Sequence, residues 1–116
     1  MENPIKEHCW VYILECSNGS YYTGYTTDLQ ARYQAHLNNT ASCKYTRSFK
    51  PVKLAQSWCL LGDKRLAMRV EALIKTKSRG LKTELVKDPS RLKDWVFDAW
   101  GIELQLLGEE CGIKSG

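Results

Sequence analysis

Long apolar runs, closely paired cysteines and repetitive or linker-like segments are all missing from this 116-residue sequence, and each absence removes a class of protein. No stretch approaches the roughly 18 apolar residues that a membrane-spanning helix needs. The opening Met1-Glu2-Asn3-Pro4-Ile5-Lys6-Glu7 is too polar for a secretory signal. A cytoplasmic protein with no membrane partner is therefore expected. The five cysteines, Cys9, Cys16, Cys43, Cys59 and Cys111, lack the close spacing of a thiolate metal site or a redox pair. They read as reduced, inert thiols. With no internal repeat and no linker, a chain of this length suits one core and one functional site.

Hydrophobic residues make up 43% of the chain and charged residues 26%, the balance of a folded domain. Seventeen Lys and Arg against thirteen Asp and Glu leave a formal charge of +4, a modest excess that suits a polyanionic partner. The excess is unevenly spread. From Arg32 to Lys53 the sequence holds Arg32, Lys44, Arg47, Lys50 and Lys53 with no acidic residue, and Tyr33, Tyr45 and Phe49 lie among them. Cations meet phosphates and rings stack on bases, so Lys44, Tyr45, Arg47 and Lys50 are candidate nucleic-acid-binding residues. A merely solvated basic loop has the same composition.

Residues 9–16, with Trp10, Val11, Tyr12, Ile13 and Leu14, have strand composition, and Ser17-Asn18-Gly19-Ser20 supplies a turn. Residues 21–26 form the returning strand. Thr27-Asp28-Leu29-Gln30 has the Thr-x-x-Gln form of a capping box and predicts a helix. On it Leu29, Tyr33 and Leu37 form a core stripe, while Arg32 and His36 point together on a parallel row. Beyond a polar, basic loop, Val52, Leu54, Trp58 and Leu60 give an imperfect alternation consistent with a third strand. Gly62-Asp63 starts a second helix with Leu66, Val70, Leu73, Ile74 and Lys77 on its core side, ending near Gly80. A shorter helical piece follows through Leu85. Asp88-Pro89 then reads as the start of a last helix carrying Leu92, Trp95, Val96 and Trp100, stopped by Gly101. The final residues, with little periodicity, read as a loosely ordered tail.

Several landmarks fall in one order along the chain. Trp10-Val11-Tyr12 is followed, ten residues on from tyrosine to tyrosine, by Tyr22-Thr23-Gly24. Then come Thr27-Asp28-Leu29, Arg32, His36, Lys44-Tyr45-Thr46-Arg47, Pro51-Val52 and Glu71. In these features the chain resembles the GIY-YIG family of nuclease domains, and most of all its small stand-alone bacterial branch, over residues 8–85. The expected fold is α+β: a small three-stranded, mainly antiparallel sheet flanked by helices in the order β-β-α-β-α-α. Residues 88–101 would add a C-terminal helix and residues 102–116 a tail. The first tripeptide departs from Gly-Ile-Tyr, and Tyr25 stands where some members have lysine.

The resemblance implies a phosphodiester-cleaving site of Tyr12, Tyr22, Arg32, His36 and Glu71. Hydrolysis needs an activated water, neutralised phosphate charge and help for a leaving oxygen. Glu71 sits between apolar Val70 and Ala72 on the face of Ala67 and Ile74, a costly place for a carboxylate. A Mg²⁺ ion, or Mn²⁺ in its stead, would compensate it, and the family's metal ligand is similarly a glutamate. A pair with Lys75 one turn later is the plain alternative. Arg32 offers a fork of donors to a phosphate, though a helix arginine is often just solvated. Tyr22 is the expected base with Tyr12 orienting water or packing, an assignment open to reversal, since a phenol needs a cation, metal or hydrogen bond to ionise at neutral pH. His36, with a pKa near neutrality, is a further candidate for phosphate binding or proton transfer. His8, ahead of the first strand, reads as surface.

The leading expectation is thus a metal-dependent nuclease acting on DNA, with RNA the other polymer, as a monomer or weak homodimer. The chain is too small to read a long sequence, which favours structure-selective or nonspecific cutting in repair or nucleic-acid turnover. A non-catalytic nucleic-acid-binding module on the same scaffold is the main alternative. A protein-interaction module working through Trp95 and Trp100 is a third.

Overall fold

A computed structural model of the chain describes residues 8–37 and 51–106. Among these, the elements are β1 (His8–Cys16), β2 (Tyr21–Thr26), α1 (Leu29–Leu37), β3 (Pro51–Leu61), α2 (Lys64–Lys75), α3 (Arg79–Lys87) and α4 (Arg91–Trp100). The three strands form one antiparallel sheet in the order β2-β1-β3, so the expected α+β class holds. No helix among the described residues is long and apolar enough to cross a membrane.

The β1–β2 turn is made by Gly19 in the left-handed region (φ 82°), where only glycine avoids strain. Asn18 Oδ1 accepts from the Ser20 backbone N–H at 3.2 Å and closes the turn. Because side chains alternate along a strand, β1 serves two cores. Cys9, Val11 and Ile13 point to a larger core shared with Trp58, Leu60, Ala67, Val70, Ile74, Leu85, Leu92 and Val96. Tyr12 and Leu14 point to a smaller one with Leu29 of α1 and Leu54 of β3. Burial of each large aliphatic side chain stabilises the fold by about 1.5–3 kcal/mol.

The broken alternation of β3 has a structural cause. Ile13 pairs with Gln56 but Leu14 with Leu54, so one extra residue of β3 bulges out between them. Positions 54 and 58 have the same parity in sequence and would share a face in a regular strand. The bulge sends Leu54 to the smaller core and leaves Trp58 and Leu60 in the larger. A second register shift between Glu15 and Cys16 leaves Val52 62% exposed, against its expected place in the apolar stripe.

Helix boundaries depart from expectation where a different side chain wins the cap. The Asp28 carboxylate, not Thr27, accepts from the Ala31 N–H at 3.1 Å at the start of α1. Asp63 caps α2 by accepting from Leu66 N–H, as expected. That helix stops at Lys75 with Thr76 as its cap, and Ser78 caps a new helix through Leu81 N–H. Gly80 therefore lies in the first turn of α3 and does not end α2. Asp88 closes α3, and α4 starts at Arg91, later than Asp88-Pro89 suggests. Gly101, at φ 70°, ends α4 as expected.

Leu92 and Val96 are fully buried in the larger core, which makes α4 part of the same packing unit as the sheet. Leu104 is also buried, and Leu106 bridges to Leu60, so the chain stays packed on β3 through residue 106. Trp58 ties these layers together: its indole N–H donates to the Pro89 carbonyl at 3.0 Å. Trp58→Phe keeps an aromatic ring, though a smaller one, and strands that carbonyl, and should lower stability by about 1–3 kcal/mol. Urea unfolding should show a lower midpoint at unchanged slope, and an unchanged midpoint would discount the bond.

Candidate active site

Tyr12 on β1 lies opposite Gly24 on β2, and Tyr22 precedes Gly24 by two residues, so both tyrosines stand on the α1 face of the sheet. A Cβ at position 24 would lie 2.5 Å from the Tyr12 hydroxyl. Glycine is required there because the phenol lies across its backbone. Their ring centroids are 6.4 Å apart. His36 of α1 completes the cluster, edge-on to both rings at 5.8 Å from Tyr12 and 5.1 Å from Tyr22.

His36 is 1% exposed, and its Nε2 lies 2.9 Å from the Tyr12 hydroxyl. Burial, and secondarily the Arg32 guanidinium one turn away, lower its pKa from 6.5 to about 4. The ring is neutral at pH 7, so one of its nitrogens is a hydrogen-bond acceptor.

Arg32 shares the His36 side of α1, as their spacing predicts, and both border an open cleft of about 380 Å³. Tyr12, Tyr22, Arg32, His36, Lys64 and Glu71 converge on it. All five residues expected at a catalytic site therefore meet in one place. Lys64 is the addition. Its signal was its place seven residues, two helical turns, before Glu71 on one ridge of α2. The expected nucleic-acid contacts Lys44, Tyr45, Arg47 and Lys50 lie outside the described residues.

Glu71 belongs to α2, which packs along β2, an edge strand, and so reaches the cleft from beside the sheet. Ala67, Val70 and Ile74 fix the helix against the larger core. The Glu71 side chain is only 18% exposed, and Lys75 Nζ lies 3.3 Å from its Oε2. Core-edge placement and the Lys75 pair are thus both realised. Among the described residues no three His, Cys, Asp or Glu side chains cluster tightly enough to cage a metal. The donor set does not suit zinc, which takes three or four protein ligands drawn from His, Cys and carboxylates. A lone, poorly solvated carboxylate beside an open cleft does suit Mg²⁺, which takes one or two carboxylates and completes its shell with water and phosphate oxygens. Cys9, Cys16 and Cys59 are buried, unbridged thiols, and burial raises the Cys16 pKa. None of the three lines the cleft.

Comparison with known proteins bears on this geometry. A family model described as the GIY-YIG catalytic domain matches residues 8–84. A UPF0213 protein of Streptococcus agalactiae serotype V is 47% identical over 83 residues, covering 72% of this chain and 92% of the relative. A UPF0213 protein of Halobacterium salinarum is 48% identical over 75 residues, covering 65% of this chain and 95% of that one. The solution NMR structure of a UPF0213 protein from Bacillus halodurans is 40% identical, covers 74% of this chain and 93% of its own, and superposes with a TM-score of 0.46.

Two outcomes test the cluster. Gly24→Ala forces the Tyr12 phenol or the strand backbone to shift and should destabilise the protein by about 1–3 kcal/mol; unfolding curves measure this, and a neutral substitution would mean the phenol moves freely. For His36, the unfolded ring binds a proton below about pH 6.5 while the folded one does not until about pH 4. Stability should therefore fall as pH drops through this window, by up to about 1.4 kcal/mol per pH unit. His36→Gln should lose less stability than wild type between pH 7 and 5. Parallel pH profiles would refute the assignment.

Proposed function

Because the chain belongs to the GIY-YIG catalytic-domain family, a nuclease superfamily, with UPF0213 proteins as its relatives, we propose that it is a magnesium-dependent nuclease hydrolysing phosphodiester bonds of DNA. What supports this reading is the convergence of two tyrosines, a buried neutral histidine, an arginine and a half-buried glutamate on one cleft. Its cutting is structure-selective or nonspecific, in repair or nucleic-acid turnover. Manganese can replace magnesium.

Each group has a task. Glu71 holds the cation, which when bound neutralises charge on the phosphate and the leaving oxygen. To do so Glu71 gives up its contact with Lys75, whose ammonium also lies 6.0 Å from the Tyr22 ring. Arg32 grips a non-bridging phosphate oxygen with its fork of donors and opposes the charge that builds as water attacks. The Tyr12 hydroxyl and Nε2 of His36 lie 2.9 Å apart; with the ring proton on Nδ1, Nε2 accepts from that hydroxyl and leaves the phenol oxygen's lone pairs to accept hydrogens from that water. The residue pattern favours Tyr22 as base, whereas this hydrogen bond supports Tyr12. As Tyr12 takes the water proton, its own passes to Nε2 of His36; the low proton affinity of His36 then returns that proton to Tyr12, and the water-derived proton leaves to solvent in the open cleft, which resets both groups. Tyr22, beside both, then positions the water.

The test is cleavage of labelled single-stranded, duplex and branched DNA, with RNA alongside, in Mg²⁺ or Mn²⁺. Glu71→Ala and Arg32→Ala should each lower the rate by about 10²–10³-fold, and Tyr12→Phe should cost more than Tyr22→Phe. Binding without cutting would make the domain a nucleic-acid-binding module on a nuclease scaffold, and retained activity in Glu71→Ala would remove the metal role.

A further inference from the structure

Basic residues are concentrated in a second segment, beyond the cleft. From Lys64 to Arg79 the chain carries Lys64, Arg65, Arg69, Lys75, Lys77 and Arg79 against one acidic residue, Glu71. They do not all face the same way. Arg69 lies over the Trp100 ring at 4.3 Å and Lys77 over Trp95 at 5.4 Å, so these two cover the seam between α2 and α4. Lys64, Glu71 and Lys75 share another ridge, on the β2 side of α2. Past the end of the helix, Arg79 lies with its guanidinium 4.5 Å from the centroid of Tyr21, whose ring is on the other face of β2 from Tyr22. The Tyr21 hydroxyl lies 3.3 Å from Thr83 Oγ1, which fixes this ring beneath α3.

The order of these contacts sets a direction. Lys64 borders the cleft with Thr26 and Thr27 at the end of β2, while Lys75 and Arg79 lie over Tyr22 and Tyr21 at its start. Thus α2 runs antiparallel to the edge strand, with cations at both ends of their shared flank and Glu71 between them.

We infer that this flank is a phosphate track, along which a nucleic-acid backbone crosses the cleft at Glu71 and continues over Lys75 to Arg79. The inference rests on the nuclease reading and adds the path of the substrate. At 1.5 Å per helical residue, Lys64 and Lys75 stand about 16 Å apart. At one phosphate per 3.4 Å of axis along each strand, this spans about five phosphates. Arg79 then grips the backbone beyond the scissile bond, with no part in the chemistry.

The experiment measures binding of labelled DNA duplexes, trimmed stepwise from either end, across a salt series without divalent metal, with Mg²⁺-dependent cleavage of the same duplexes in parallel. Arg79→Ala should weaken binding of the full duplex about three- to tenfold and lower the salt slope by about one, with Arg79→Lys close to wild type. Trimming the end that reaches Arg79 should cost wild type affinity and cost Arg79→Ala little. Arg91→Ala, which removes the same charge from α4 away from the flank, should leave binding unchanged. Equal loss in Arg79→Ala and Arg91→Ala, or identical trimming profiles in wild type and Arg79→Ala, overturns the track while leaving a cleaving wild type a nuclease. A wild type that neither binds nor cuts overturns both.

Discussion

A strand buried on both faces must send alternate side chains into two environments, and β1 imposes this constraint on the rest of the fold. Val11 and Ile13 anchor the core beneath α2, α3 and α4, while Tyr12 and Leu14 support α1 from the other side. No residue of β1 from Val11 to Leu14 is more than 2% exposed. A slip by one residue would exchange the two sets and bury Val11 where the Tyr12 hydroxyl now meets His36. Register in the central strand therefore positions the candidate catalytic phenol.

The elements around β1 follow from that alternation. On one side Gly24 leaves room for the Tyr12 ring, so β2 pairs closely and still carries Tyr22 on the same face. On the other side β3 keeps both cores filled only by bulging, which places Leu54 against α1 and Trp58 and Leu60 against the remaining helices. Helix α1 then carries His36 into contact with two aromatic rings and Arg32 to the cleft. Glu71 arrives from α2, held by Val70 and Ile74 in the opposite core. The cleft thus draws on both layers, and substitutions in either core displace groups in it.

Electrostatics in the cleft divide by burial. His36 is enclosed and beside Arg32, so it stays neutral and serves as a hydrogen-bond partner. Glu71 is partly enclosed and takes its counter-charge from Lys75. Lys64, Lys75 and Arg79 lie further out, where a charge stays hydrated and avoids the desolvation cost of the interior.

Short-range pattern by itself determined much of this. The resemblance to the GIY-YIG family marked the candidate site, whereas strand composition and turn residues located β1 and β2 and helical spacing put Arg32 beside His36. Local rules suffice there because a period of two or 3.6 residues depends only on nearby backbone. Tertiary structure alone decided the bulge that divides Leu54 from Trp58, and the competition that gave Asp28 rather than Thr27 the α1 cap. It also decided the low proton affinity of His36, the approach of Lys64 to the cleft, and the sharing of Glu71 between Lys75 and the open cleft. These depend on dielectric surroundings and on distances between segments far apart in the chain, which no local period encodes.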